Sequence, residues 1–473
     1  MSFVIYVNGL VMMFFAFLMV LVAFLFPSTG SVFFESSMLV GLLGLFLAVA
    51  TASTLSSISR LHTFLLTTSV WMTSALAGAV PLYIWGLSSV DAVFEAMSGI
   101  TTTGSTILNN LDRSPRGILI WRSMLQGIGG VGFIVTGIAL LPILKVGGMQ
   151  LFRTESSDKG EKELSSATKF ASATLIVYAA LIFLCFVAYL IGGMNFFDAA
   201  THAMTTLATG GYSNYDASFG HFSSPFLQWA CTFFMVLGAL PFAYYIRIFN
   251  RGAFKSEQVG VMLICFFIVI SLMTLWLVST RNYPVFEALR LAAFNVVSVV
   301  TTTGYATDDY DKWGPFAMMV FFVLTAVGGC TGSTSGGAKT MRWIILYRAA
   351  RNKFKGLYTP HSVTTIRYEG TAIDDSVISG IIGFFTIFLF SFTILSLILT
   401  LYGLDFETAI SGSLTTLANV GPGLGDTIGP GGNFSSLADP VKIILTIGMY
   451  CGRLEMVTIF VLLTATFWRE LKA

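Results

Sequence analysis

Charged residues are scarce in this sequence, at 11%, where soluble domains carry roughly 25%. Set against 55% hydrophobic residues and a mean hydropathy of +0.80, that scarcity excludes a water-soluble domain and implies an integral membrane protein. A net charge of +2 leaves no basic field for a nucleic-acid partner. Cysteine is sparse too. Cys185, Cys231, Cys265, Cys330 and Cys451 lie scattered in apolar segments, without the spacing of a metal or redox motif, and read as small buried hydrophobes. His62, His202, His221 and His361 show no HxxxH or HxxE spacing, so no zinc site is expected. A membrane enzyme would need clustered His, Cys or carboxylates at depth. None is found, and the chain is expected not to be an enzyme.

What is present is apolar length. Roughly 20 apolar residues cross the hydrocarbon core of a bilayer. Ten segments qualify: 3–26, 37–57, 63–86, 116–145, 168–192, 224–249, 258–280, 313–350, 376–402 and 438–468. The first is too long for a signal-peptide core and has no basic residue before it, so it is expected to be a retained span. Four shorter segments, 91–102, 196–207, 285–301 and 405–417, fall short of a full span. Each opens on an acid, Asp91, Asp198, Glu287 or Glu407, which suits the positive end of a helix dipole. They predict half-length helices that enter the membrane and stop.

A polar, glycine-bearing stretch follows each half-helix. The four are Ile100-Thr101-Thr102-Thr103-Gly104-Ser105-Thr106, Leu207-Ala208-Thr209-Gly210-Gly211-Tyr212, Thr301-Thr302-Thr303-Gly304-Tyr305-Ala306 and Ala418-Asn419-Val420-Gly421-Pro422-Gly423. Recurrence at intervals of roughly a hundred residues implies pseudo-fourfold symmetry. The expected fold is all-α integral membrane. Two extra spans occupy 1–57, and four span–half-helix–span repeats cover 58–150, 151–252, 253–356 and 357–473. Non-helical backbone at membrane depth is tolerated only where protein buries it or it lines water. Four converging stretches would point rings of carbonyl oxygens inward. Such rings replace the hydration shell of a potassium ion, as the TVGYG loops of potassium channels do. Gly104, Gly210, Gly304 and Gly421 are taken as the equivalent positions, preceded by Thr103, Thr209, Thr303 and Val420. Glycine lets carbonyls turn toward the axis, and β-branched residues stiffen the strand.

A second constellation runs Gly328-Gly329-Cys330-Thr331-Gly332-Ser333-Thr334-Ser335-Gly336-Gly337-Ala338-Lys339 and interrupts the apolar segment 313–350. No continuous helix tolerates that much Gly and Ser cheaply. It is not a phosphate-binding loop, because Ala338 separates Gly337 from Lys339 and no soluble domain surrounds it. Gly127-Ile128-Gly129-Gly130-Val131-Gly132 matches GxGxxG by letters only. It lies inside a span and reads as close helix packing. Arg453 lies mid-span, where a basic residue costs roughly 2.5–3.5 kcal/mol and needs a partner or water. Glu455 is a candidate partner, although i,i+2 residues point apart on a helix. Arg122 is expected to snorkel to an interface, as are Lys339 and Arg342 at the cytoplasmic mouth. Lys and Arg concentrate in 145–169, 247–255 and 345–372, which puts that face and both termini in the cytoplasm. The opposite loop 403–438 carries Asp405, Glu407 and Asp426 and no basic residue, a favourable potential for a cation.

SGITTTGST, TTLATGGYS, TTTGYAT and NVGPGLGD, each in its own repeat, resemble the Trk/Ktr/HKT superfamily of potassium transporters, and most closely its bacterial TrkH type. The resemblance covers 60–473, and spans 3–57 resemble the N-terminal addition of TrkH-type members. It implies potassium as the transported ion, held by backbone oxygens in a selectivity filter. The implied residues are Thr102, Thr103, Gly104, Ser105, Ala208, Thr209, Gly210, Gly211, Thr302, Thr303, Gly304, Tyr305, Asn419, Val420, Gly421 and Pro422. It also implies a gate beneath the filter, formed by the loop carrying Gly328, Gly329, Gly332, Gly336, Gly337 and Lys339, and by Arg453 in the pore. A homodimer in the bacterial inner membrane is implied, with a nucleotide-binding regulatory subunit of the TrkA type on its cytoplasmic face. Nothing in the chain itself would hold an organic cofactor. Two alternatives remain open, a sodium- or ammonium-permeable member and an ion-coupled symporter of the same fold. The fourth stretch departs from TTTG at Asn419 and Val420.

Overall fold

A computed structural model describes residues 1–53, 60–144, 162–359 and 365–472. Almost all of the regular structure is helical. Only a small antiparallel hairpin, β1 (Arg367–Tyr368) with β2 (Thr371–Ala372), departs from it among the described residues. Backbone in lipid is satisfied only within helices or closed barrels, and the described spans are helices.

Two helices, α1 (Ser2–Leu25) and α2 (Gly30–Ala52), form an N-terminal hairpin. Their close crossing depends on small residues. A side chain at Gly9 would meet the Gly44 carbonyl at 2.8 Å, and one at Gly44 would meet that of Gly9 at the same distance. Phe15 and Phe33 pack edge-on against Trp121, which docks the hairpin on the rest of the protein. The second helix begins at Gly30, ahead of the 37 expected, because Pro27 starts a tight turn and releases the chain directly into it.

The remaining order repeats. Long helix α3 (Arg60–Trp85), short α4 (Ser89–Ile100) and α5 (Arg116–Leu144) come first. Then follow α6 (Lys162–Ile191), short α7 (Phe196–Leu207), and α8 (Pro225–Ala239) with α9 (Phe242–Arg251). The third set is α10 (Glu257–Arg281), short α11 (Val285–Val300), and α12 (Pro315–Thr325) with α13 (Thr340–Tyr358). The fourth is α14 (Asp375–Leu401), short α15 (Phe406–Ala418), a turn of helix α16 (Gly425–Ile428), then α17 (Asp439–Arg453), α18 (Val457–Leu462) and α19 (Ala465–Lys472). Large apolar side chains such as Phe24, Phe46, Phe267 and Leu275 face outward from the long helices, as lipid contact requires.

Six described helices are long and apolar enough to span a bilayer, or seven if α8 and α9 count as one span bent by 87°. Ten segments of spanning length were expected, with 313–350 interrupted at 328–339; that break is present, and two further segments are broken. Leu240 and Pro241 end α8, since proline cannot continue the hydrogen-bond ladder. Residues 326–339 separate α12 from α13. In 438–468 the helix stops after Arg453, and Glu455 and Met456 adopt positive φ of 57° and 50°. The charged stretch 145–161 lies outside the described residues.

Candidate functional site

The four short helices are built alike. Ser88, Asn195 and Asp405 each accept a hydrogen bond from a backbone N–H in the first turn, and Pro284 opens the third. The acid expected in each first turn is there: Asp91, Asp198, Glu287 and Glu407. At the other end the chain turns sharply. Thr101, Thr102 and Thr103 donate to Met97, Gly99 and Ser98 at 2.9, 3.0 and 2.9 Å. Ala208, Thr209 and Gly210 repeat these bonds, as do Thr301, Thr302 and Thr303. Asn419 and Val420 donate to Thr416 and Thr415 in the fourth repeat. The turning residue is left-handed each time, with φ of 54° at Thr102, 50° at Thr209, 58° at Thr302 and 54° at Asn419. For threonine this is a strained conformation, held by the surrounding structure.

Two residues on, each strand has a positive-φ glycine: Gly104 (89°), Gly211 (74°), Gly304 (80°) and Gly421 (115°). The second repeat is thus set one residue later than expected. Gly211 takes the ring position, and Gly210 stands where the others have Thr103, Thr303 and Val420. Thr209 matches Thr102, and Tyr212 matches Ser105, Tyr305 and Pro422. Two consecutive glycines made either register sterically possible. The turn at Thr209 decides between them.

These glycines close a ring. A side-chain carbon on Gly104 would clash with the Gly210 carbonyl oxygen, one on Gly211 with that of Thr303, and one on Gly304 with that of Val420. One on Gly421 would lie 2.8 Å from that of Thr103. Each quarter abuts the next in sequence order, and the fourth returns to the first. Above the ring, a cavity of about 290 Å³ is lined by all four glycines together with Ser105, Tyr212 and Pro422.

Glycine also sets the depth of packing behind the ring. Side chains at Gly129 and Gly452 would overlap the carbonyls ending α4 and α15, those of Ile100 and Leu417, and one at Gly238 would crowd that of Leu207. The glycine run 127–132 is therefore close helix packing, as its sequence context implied.

Beneath the ring lies the loop 326–339. Thr334 Oγ1 donates to the Leu207 and Gly238 carbonyls at 3.0 Å each. Gly336 N donates to Thr302 Oγ1 at 2.6 Å, and Gly337 N to Ala418 O at 2.9 Å. The loop therefore touches the ends of α7, α11 and α15. It also satisfies the backbone freed by the α8–α9 break, through Cys330 N to Ala239 O (3.0 Å) and Phe242 N to Gly332 O (2.9 Å). Arg453, buried at 3% exposure, donates to Thr334 O at 3.1 Å and to Gly129 O at 3.0 Å. One guanidinium thus links the loop to α5.

Three expectations about charge are corrected. Glu455 pairs with Arg342 at 2.7 Å rather than with Arg453, because the helix breaks between Arg453 and Glu455. Arg342 and Lys339 do not snorkel. They are 2% and 3% exposed, Arg342 lying over the Phe384 ring and Lys339 donating to Ser335 O. Arg122 does not snorkel either. It is buried against Glu95 at 2.7 Å. Glu95 and Gln126, which bonds the Gly210 carbonyl and Tyr212 N, were not singled out from the sequence. Glu95 is a carboxylate inside a short apolar helix, and that was the available signal.

Beside Gly429, which lines the cavity above the ring, Asp311 accepts a bond from Gly425 N at 2.8 Å. Burial pushes its carboxyl up to about 7, opposed by the Gly425 bond and assisted by Asp309, Glu407 and Asp426.

The family described as TrkH, cation transport protein, matches residues 29–469. The Trk system potassium uptake protein TrkI of Halomonas elongata is 48% identical over 414 residues, 86% of this chain and 84% of its own. The Trk system potassium uptake protein TrkH of Escherichia coli K12 is 34% identical, covering 86% of both chains. The crystal structure of the potassium transporter TrkH from Vibrio parahaemolyticus superposes with a TM-score of 0.89, at 30% identity and over 99% of both chains.

Proposed function

The chain belongs to the TrkH cation transport family, and on that premise we propose that it takes up potassium through the ring of Gly104, Gly211, Gly304 and Gly421. It is a multi-pass membrane protein. The observation that carries the reading is the closure of the ring, in which each glycine fits against the carbonyl of the residue before the next one. Backbone oxygens so arranged replace the water a potassium ion sheds. The ligands are the carbonyls of Thr102 to Ser105, Thr209 to Tyr212, Thr302 to Tyr305 and Asn419 to Pro422. The C-terminal ends of α4, α7, α11 and α15, negative in their dipoles, add to the attraction for a cation. One chain supplies all four quarters, in the repeats 58–150, 151–252, 253–356 and 357–473.

The loop 326–339 is the gate, and Arg453 holds it closed. Its hydrogen bonds to the underside of the ring, and the fixed positive charge of Arg453, oppose exit to the cytoplasm. The protein works as a homodimer in the bacterial inner membrane, termini inside, with a TrkA-type subunit on its cytoplasmic face. The names of the curated relatives, each a Trk system potassium uptake protein, support the substrate. The test is rubidium uptake by purified protein in liposomes, with potassium and sodium as competitors. Competition by potassium and not by sodium is expected. Equal competition makes the chain a sodium-permeable member.

A further inference from the structure

One buried cluster of side chains beside the ring has been given no role so far. Glu95 on α4 and Arg122 on α5 have side chains 0% and 1% exposed and meet at 2.7 Å. Arg122 also donates to Ser213 O at 3.0 Å and to Thr106 Oγ1 at 3.2 Å, and its guanidinium lies 4.1 Å from the Tyr212 ring centre. Glu95 accepts from Ile107 N at 2.9 Å and from Thr106 Oγ1. Tyr212 closes the cluster by donating to Glu95 O at 2.7 Å and Ser105 O at 3.3 Å. One carboxylate and one guanidinium therefore hold the strands that follow Gly104 and Gly211.

The position is repeated. Glu95 lies nine residues before its ring glycine (104 − 95), and so do His202 (211 − 202) and Asn295 (304 − 295). His202 Nε2 bonds Ser213 Oγ at 3.1 Å, and Asn295 bonds Thr307 Oγ1 at 3.0 Å. In the fourth repeat the same count reaches Gly412 (421 − 412), which has no side chain to offer. That strand is held from the neighbouring Ser411, which accepts from Leu424 N at 3.0 Å. Three quarters of the ring are bolted from one helix position, and only the first bolt is ionic and spans two quarters.

Resting on the filter reading, we propose that Glu95 and Arg122 are positioning residues that set ion selectivity by fixing the first two quarters of the ring relative to each other. A carbonyl ring discriminates through the number and placement of its oxygens, and a ring whose quarters can shift loses part of that discrimination. A buried ion pair suits that task. Its partners are short of alternatives, and loss of either leaves the other charge uncompensated. Arginine is required because one planar fork serves Glu95, Ser213 and Thr106 together, which a lysine ammonium cannot do.

The experiment measures reversal potentials under opposed potassium and sodium gradients, with purified protein in planar bilayers. The variants are Glu95→Gln, Arg122→Lys and Tyr212→Phe, with Gly304→Ser as the control for the filter itself. Glu95→Gln strands the Arg122 charge and Arg122→Lys keeps the charge but loses the fork, and each is expected to lower the potassium-to-sodium permeability ratio roughly tenfold while conduction persists. Tyr212→Phe strands no charge and is expected to lower it about threefold. A purely structural role would reduce yield and melting temperature and leave the ratio of the folded fraction unchanged, which overturns the proposal. If the Glu95 and Arg122 variants do not fold, Tyr212→Phe decides alone. A shift with Gly304→Ser and none with the others rejects the positioning role of Glu95 and Arg122 only, and no shift in any variant rejects the filter reading.

Discussion

Replacing Arg453 by alanine removes the guanidinium link between the loop and α5. Arg453 makes two charge-assisted bonds, to Thr334 O at 3.1 Å and Gly129 O at 3.0 Å. Each such bond contributes roughly 1.5–3 kcal/mol, so the pair contributes about 3–6 kcal/mol to the loop's placement. Water entering the vacated space would satisfy the two carbonyls in part. Taking about half as the net loss leaves ~1.5–3 kcal/mol, a shift of roughly 10- to 150-fold in the closed-to-open ratio. Removal of the positive charge lowers the barrier to a cation further. Arg453→Ala should therefore raise rubidium uptake into liposomes containing no other protein. Arg453→Lys should fall between, because an ammonium keeps the charge without the two-pronged geometry. Elution profile and melting temperature establish that each variant is folded. Uptake by folded Arg453→Ala equal to or below the parent would refute the reasoning.

Gly304→Ser meets the Val420 carbonyl and Pro422 Cδ and places a side chain at φ of 80°. The left-handed conformation costs about 1–2 kcal/mol and overpacking about 1–3 kcal/mol. The ring should yield between its third and fourth quarters, and potassium selectivity should fall by tenfold or so, read from ion competition in liposomes. Deleting Gly332 to Gly336 removes the bonds to Leu207, Gly238 and Thr302, and should leave a leaky pore by the same uptake assay. A tightly closed deletion variant would count against the gate. Asp311, pushed up to about 7 by burial, holds its proton in the folded protein where the unfolded chain would release it near ~4. The folded state then binds more protons across that window, so stability falls as pH rises from about 4 to about 7. Asp311→Asn should raise the melting temperature at pH 8 more than at pH 4. An equal change at both pH values would show that Asp311 ionises normally.

The half-helices and their glycine turns were legible because they break an apolar background. A capped, acid-led segment of 12 to 16 residues is too short to span, and the polar stretch after it has to be buried or lie against water. The register of the second quarter was not legible, since Gly210 and Gly211 each permit the turn and only the left-handed Thr209 selects one. The partners of buried charges were hidden by distance along the chain. Glu95 and Arg122 are 27 residues apart, and Arg342 and Glu455 are 113 apart. Snorkelling is the economical reading of a lone arginine until its partner is seen. The break after Arg453 carries neither Gly nor Pro at Glu455 and Met456, so no local propensity announced it. The loop 326–339 was visible from its Gly and Ser content. Its attachment to three of the four half-helices was not.

A potassium-selective pathway enclosed by one chain sets the reversal potential of that chain alone. The direct measurement is the reversal potential of the purified, reconstituted protein under opposed potassium and sodium gradients, repeated with a pH gradient. The potential should follow the potassium gradient and be insensitive to sodium. A potential near zero with potassium on one side and sodium on the other would contradict it.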